Sequence, residues 1–122
     1  MSRDEGYLID ILAEARLALE FASGLNRDTF KADLMRQHAI IRCLEIIGEA
    51  TRRISLEFRE AHPEIAWHGM LGMRNRLIHE YDEINLNIVW DVLNEHIPAL
   101  IELIEPLVPP EDELDDTSEE TD

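Results

Sequence analysis

Between residues 67 and 81 the chain reads Trp-His-Gly-Met-Leu-Gly-Met-Arg-Asn-Arg-Leu-Ile-His-Glu-Tyr, and three of these side chains suit acid–base work on an anion. His79, with an unperturbed pKa of about 6.5, can take or give a proton at neutral pH. Arg74 stays charged and can grip two oxygens of an anionic group, stabilising a transition state in which negative charge grows. Asn75 can orient either the histidine or the anion.

Such groups need an element to position them. On an ideal helix with Met70 as zero, Met73, Leu77 and Tyr81 fall at about 300°, 340° and 20°, a single apolar stripe. Asn75 and His79 fall at about 140° and 180°, on the opposite face, with Arg74 at about 40° and Arg76 at about 240°. Arg74 and His79 are thus about 140° apart, too far for one straight helix to aim both at one atom. Either the helix deforms near His79, or a neighbouring element or a second subunit completes the site. Each residue also has an ordinary structural reading. His79 suits a helix C-terminus when protonated. Arg76 has Glu80 one turn on. Tyr81 lies on the core stripe unless the helix ends before it, which Asp82-Glu83-Ile84-Asn85 permits.

The remaining histidines, His38, His62, His68 and His96, lack ligand spacing, so no metal and no cofactor is assigned. The single Cys43 excludes an intramolecular disulfide and a cysteine-rich zinc site; among apolar neighbours it reads as packing, not as a nucleophile. No signal peptide and no apolar run of membrane-spanning length is evident, and the chain reads as soluble and cytoplasmic.

A formal charge of −16 over 122 residues argues at first against a phosphate-bearing partner. The charges are unevenly placed. Segment 27–76 holds 9 basic and 7 acidic residues, whereas 77–122 holds none and 15. Of the last 12 residues 8 are acidic, so 111–122 is expected to be a solvated, disordered tail behind a helical domain over 1–110. The middle of the chain can still form a small electropositive cleft.

Abundant Leu, Ile, Ala, Glu and Arg with only 5 Gly and 5 Pro favour helix, and no alternating run reads as a strand. The first helix is predicted over 6–23, with Leu8, Ile11, Leu12, Ala15, Leu19 and Ala22 inward and Gly24 closing it. Asp28 and Asp33 are candidate N-caps, for a turn around Phe30 and for a long helix to about residue 55. That helix presents Leu34, His38, Ile41, Leu44, Ile47 and Ile54, with Gly48 marking the close approach of another helix. Short helical structure follows at 56–61. The third main helix is predicted over 67–79 and the fourth from an Asn85 cap to about residue 105, kinked or divided by Pro98. The fold class is all-α, an up-and-down bundle of four main helices.

The sequence Arg74–four residues–His79–x–Tyr81 resembles the R-x4-H-x-Y signature of the HepT toxins of the HEPN superfamily. Arg42-Cys-Leu-Glu-Ile-Ile-Gly-Glu-Ala, His62-Pro-Glu-Ile-Ala-Trp and Asn87-Ile-Val-Trp-Asp agree with it, so the resemblance covers roughly residues 5–107. It implies a HEPN-like homodimer whose motifs face each other and a metal-independent endoribonuclease with Arg74 and His79 catalytic and Asn75 assisting. The expected products are a 2′,3′-cyclic phosphate and a 5′-hydroxyl. It also implies a partner antitoxin, a small nucleotidyltransferase of the MntA type, that transfers AMP to Tyr81. Arg36, Arg42, Arg52, Arg53 and Arg59 either extend an RNA track or are separate helix-surface charges. A non-catalytic nucleotide-binding or substrate subunit of such a transferase, and a purely structural helical oligomer, are the competing readings.

Overall fold

The computed structural model describes residues 2–79 and 83–110; Tyr81 and the acidic run 111–122 lie outside the described residues. The chain forms α1 (Arg3–Ala22), α2 (Arg27–Lys31), α3 (Leu34–Arg53), α4 (Leu56–Ala61) and α5 (Trp67–Leu77). A two-residue ladder of β1 (Ile78–His79) and β2 (Glu83–Ile84) follows, then α6 (Leu86–Asp91), a π-helical segment Val92–His96, α7 (Ile97–Ile104) and a final 3-10 turn Glu105–Leu107. With α6, the π segment and α7 counted as one broken helix, the architecture is the expected all-α bundle of four main helices.

Local chemistry explains most boundaries. Ser2 caps α1, its hydroxyl accepting from the Glu5 amide at 3.1 Å, with Asp4 and Glu5 in the first turn; the helix therefore starts three residues earlier than predicted. Gly24, at φ 82°, takes the left-handed position after it. The short α2 is capped by Asn26 and not by Asp28. The Asn26 side chain accepts from the Thr29 amide at 2.9 Å while the Thr29 hydroxyl accepts from the Asn26 amide at 2.8 Å, a reciprocal box that Asp28, already inside the helix, cannot make. Asp33 caps α3 as predicted, and so does Asn85 for α6.

The core runs along Leu8, Ile11, Ala15 and Ala18 of α1 and Ile40, Leu44 and Ile47 of α3, all fully buried. Val89, Leu93, Ile97 and Ile104 close it from the fourth helix. Each large side chain so buried contributes about 1.5–3 kcal/mol relative to exposure. One stripe is corrected. Leu34 is 66% exposed and His38 is exposed, because the buried line of α3 starts at Gln37 and continues through Ile40 and Ile41. The Gln37 amide donates to the carbonyls of Phe30 at 3.0 Å and Lys31 at 2.9 Å, so its polar end finds partners at the end of α2 and can be buried there.

Pro98 divides the fourth helix by a register change. Proline removes one amide and crowds the carbonyl four residues before it. The chain answers with the π segment, in which the Ile97 amide reaches back five residues to the Val92 carbonyl. Elsewhere α2 is clamped to α6. Phe30, fully buried, lies 5.3 Å from the Trp90 ring, and the Arg27 guanidinium donates to Asn87 at 3.1 Å and Asp91 at 2.8 Å. The exposed ion pair adds at most about 1 kcal/mol; the aromatic contact and its burial do most of the holding.

Cys43 packs in this core at 2% exposure, and burial, with a hydrogen bond to the Glu14 carboxylate, pushes its thiol up to about 12. It stays a neutral thiol at physiological pH, as packing requires. Native protein should therefore react slowly with a thiol reagent at pH 8 and fast once denatured. Between about pH 9 and 12 the unfolded chain loses its thiol proton first, so folding stability should fall as pH rises through that window, and a Cys43→Ala variant should lack this part of the decline.

Candidate functional site: the end of the fifth helix

Met70, Met73 and Leu77 face inward from α5 at 4, 6 and 0% exposure, the part of the predicted apolar stripe that lies among the described residues, and Trp67 is buried with them at 7%. Asn75 is exposed on the other side. Three contacts hold the helix in place. Where it crosses α3, a Cβ added at Gly48 would lie 3.5 Å from the Met70 carbonyl oxygen, so the two backbones meet with little between them. At its start, the Trp67 indole donates to the His62 carbonyl at 2.9 Å and meets Phe58 edge-on at 6.2 Å. Phe58 itself packs on the His62 ring at 4.3 Å, and His62 Nδ1 lies 3.2 Å from a Glu64 oxygen. This bracket is tied to α1: the Asp4 carboxylate accepts from the Ser55 amide at 2.8 Å and hydroxyl at 2.7 Å, and Ser55 caps α4, which carries Phe58.

The helix predicted over 67–79 ends at Leu77. Ile78 and His79 leave it as β1 and pair antiparallel with β2, Ile78 opposite Ile84 and His79 opposite Glu83. The physical cause is the short return. The chain must reverse direction between Leu77 and the Asn85 cap, and a ladder gives backbone groups at the helix end partners they would otherwise lack. Arg74 and Asn75 therefore sit in the last turn of a helix and His79 two residues past it, so Asn75 and His79 are not the i,i+4 helical pair that an unbroken helix would make. The separation of about 140° between Arg74 and His79 no longer applies either, because it presumed one straight helix.

The other candidate cations are more ordinary. Arg36, Arg42 and Arg52 each lie 3.8–4.0 Å from a carboxylate on α3 or at its cap, at Asp33, Glu45 and Glu49. These are surface pairs, which favours separate helix charges over a continuous track. Among the described residues no group of three or more His, Cys, Asp or Glu side chains is placed to share an ion, and no helix is long and apolar enough to cross a membrane. Beside α5 runs an apolar groove of about 190 Å³, floored by Met70, Met73, Leu77, Val92, Ile97 and Leu100 and rimmed by Leu103, which is 36% exposed. Sequence reasoning did not find it, because its two walls lie more than ten residues apart and the π segment sets their spacing.

Comparison with known proteins follows the same residues. The family described as "Ribonuclease HepT-like" matches residues 11–107, a span that contains α5, the ladder and both α3 and α7. The chain belongs to the HepT-like ribonuclease family. It is 39% identical over 101 residues to a Methanocaldococcus jannaschii protein whose name offers it provisionally as an RNase, covering 83% of this chain and 93% of that one. It is 42% identical over 94 residues to a Thermococcus cleftensis protein named "Probable ribonuclease HepT", covering 77% and 86%. A Caldanaerobacter subterraneus protein, also provisionally named an RNase, is 39% identical over 100 residues, with coverages of 82% and 89%. No solved structure matches the chain significantly. The HepT-like assignment agrees with the resemblance read from Arg74, His79 and Tyr81.

The crossing at Gly48 gives a stability test. Gly48→Ala adds a Cβ at ordinary contact distance and should stabilise the protein by about 1 kcal/mol through helix propensity. Gly48→Leu has no room before the Met70 backbone and should destabilise by about 1–3 kcal/mol. Denaturant midpoints of the two variants check the sign of each.

Proposed function

We propose that this HepT-like protein is a metal-independent endoribonuclease toxin whose site is built from Arg74, Asn75 and His79 at the end of α5. The observation that carries the proposal is the family match over 11–107 with the R-x4-H residues inside it, on a helix whose inner face is fixed in the core and whose end opens into a short ladder. His79 acts as base on a ribose 2′-hydroxyl. The freed oxygen attacks the adjacent phosphorus, the bond to the 5′ oxygen breaks, and that oxygen leaves protonated. A 2′,3′-cyclic phosphate and a 5′-hydroxyl result. Arg74 holds the phosphate oxygens as charge develops, and Asn75 orients the phosphate or the imidazole.

The acid for the leaving oxygen comes from the His79 of a second copy. The apolar groove along α5 and α7 is the surface that this copy covers, which joins the two motifs into one cleft. Partner control is by a nucleotidyltransferase antitoxin of the MntA type. The Tyr81 phenol oxygen attacks the α-phosphorus of ATP, pyrophosphate departs, and AMP remains on the tyrosine. The setting of all these steps is the cytoplasm, where RNA and such a transferase meet.

His79→Ala and Arg74→Ala should each lower RNA cleavage at least about 100-fold while leaving the melting temperature unchanged. A His79→Ala protein that cleaves like the wild type, or a wild type that leaves RNA intact, overturns the enzymatic reading in favour of a silent substrate subunit. Leu103→Glu should convert a dimer to a folded monomer on a sizing column and lose cleavage with it; a monomeric wild type rejects the two-copy site.

A further inference from the structure

Gly6, Gly48, Gly69 and Gly72 all lie inside helices, and only Gly48 has a neighbour that accounts for it. There the Met70 carbonyl oxygen stands 3.5 Å from where a Cβ would be. At Gly69 and Gly72 of α5 a Cβ would meet nothing within 4 Å. A glycine inside a helix gives up stability that alanine would keep, so a pair of them in a helix of 11 residues needs a reason that this chain does not itself contain. Gly6 is equally open, but it lies near the start of α1 and does not line the groove beside α5.

Gly69 does line that apolar groove, with Met73 and Leu100 in its floor. The two walls of the groove carry opposite charge by sequence. The α5 wall has His68, Arg74 and Arg76 and no acid, while residues 86–104 of the fourth helix have Asp91, Glu95 and Glu102 and no Lys or Arg. Asp91 is taken by Arg27, but Glu95 and Glu102 are exposed and have no ion-pair partner among the described residues. Opposite walls on one chain make the surface self-complementary: a second copy related by a twofold axis sets its α5 against the first copy's fourth helix, and the reverse contact comes with it. An RNA strand laid in the groove would meet the acidic wall and fit only half of the surface. We propose that Gly69 and Gly72 are the closest-approach positions of this twofold contact, where the α5 backbones of two copies cross with little between them, as α3 and α5 cross at Gly48 within one copy. This rests on the two-copy site proposed above and names the residues that let the copies meet. Asn75, exposed and three residues past Gly72, then lies within about one helical turn of the crossing in each copy.

The test is the dimer dissociation constant of the full-length protein, measured by sedimentation over a dilution series. Gly69→Leu and Gly72→Leu should each raise it at least about 10-fold by overpacking the crossing. Gly6→Leu, at an open helical glycine outside the groove, should leave it within about 2-fold. Diluted below that constant, the Gly69 and Gly72 variants should unfold at a denaturant midpoint no lower than wild type, because leucine is the better helix former and the space within one copy is open. Gly69→Ala and Gly72→Ala give the same comparison with the smallest addition if a leucine variant folds poorly. Glu102→Lys should raise the constant about 5-fold at low ionic strength and by less in about 0.5 M salt. Leucine variants that dimerise as tightly as wild type, or that lose affinity for a single-stranded RNA oligonucleotide with the dimer intact, overturn the glycine contact. If Leu103→Glu still dissociates that dimer, the two-copy reading survives without it. A wild type that stays monomeric overturns both.

Discussion

The placement of the motif depends on how closely α3 and α5 approach. At Gly48 no side chain separates the helices, and the Met70 carbonyl occupies the space that a larger residue would need. That closeness lets Met70, Met73 and Leu77 bury into the core from a helix only 11 residues long. An isolated helix of that length is marginal in water, so its conformation comes from packing on α3 and not from its own propensity. With one face fixed in this way, Asn75 is left on the outside and the last turn is delivered to a defined place. The glycine costs about 1 kcal/mol of helix stability, which the apolar burial it permits exceeds.

Everything else around α5 limits its remaining freedom. The Phe58, His62 and Trp67 bracket holds the start of the helix, and through Ser55 and Asp4 it is anchored on α1. On the far side, Phe30 and Arg27 hold α6, so the Asn85 cap that receives the returning chain is itself fixed. Between Leu77 and Asn85 the chain has few residues in which to reverse, and the ladder is what fits. The motif thus lies where a rigid helix gives way to a constrained return. Arg74 can be set by the helix while His79 is released from it, a separation that a continuous helix would not allow.

How much of this was legible in the sequence depends on the range of the interaction. The bundle, the caps at Asp33 and Asn85, the helix at 56–61 and the stripe of Met70, Met73 and Leu77 are local effects, carried by residues within one or two turns of each other. Gly48 was also legible, because a glycine in mid-helix sacrifices stability unless a neighbouring backbone needs the room. What was hidden involves contacts between separate elements. Gln37 reads as a surface residue until its amide's acceptors, the carbonyls of Phe30 and Lys31, give it a reason to be buried. His79 reads as helical until the chain's return to Asn85 is considered, and the register with Glu83 follows only from that. The R-x4-H-x-Y resemblance supplied the candidate site where geometry alone left the helix, the second subunit and a deformation all open.

Net charge is the remaining apparent contradiction. An acidic chain does not attract RNA over its whole surface, and the arginines of α3 are matched by nearby carboxylates. Engagement must then be local, through few phosphate contacts, and correspondingly sensitive to salt. The central question is whether that local site cuts RNA by itself. Purified full-length protein incubated with RNA in EDTA, with the new ends identified by mass spectrometry, addresses this directly. The expected result is 2′,3′-cyclic phosphate and 5′-hydroxyl ends that disappear with His79→Ala. Uncut RNA, or 3′-hydroxyl and 5′-phosphate ends that require a divalent metal, would contradict a metal-independent site built on His79.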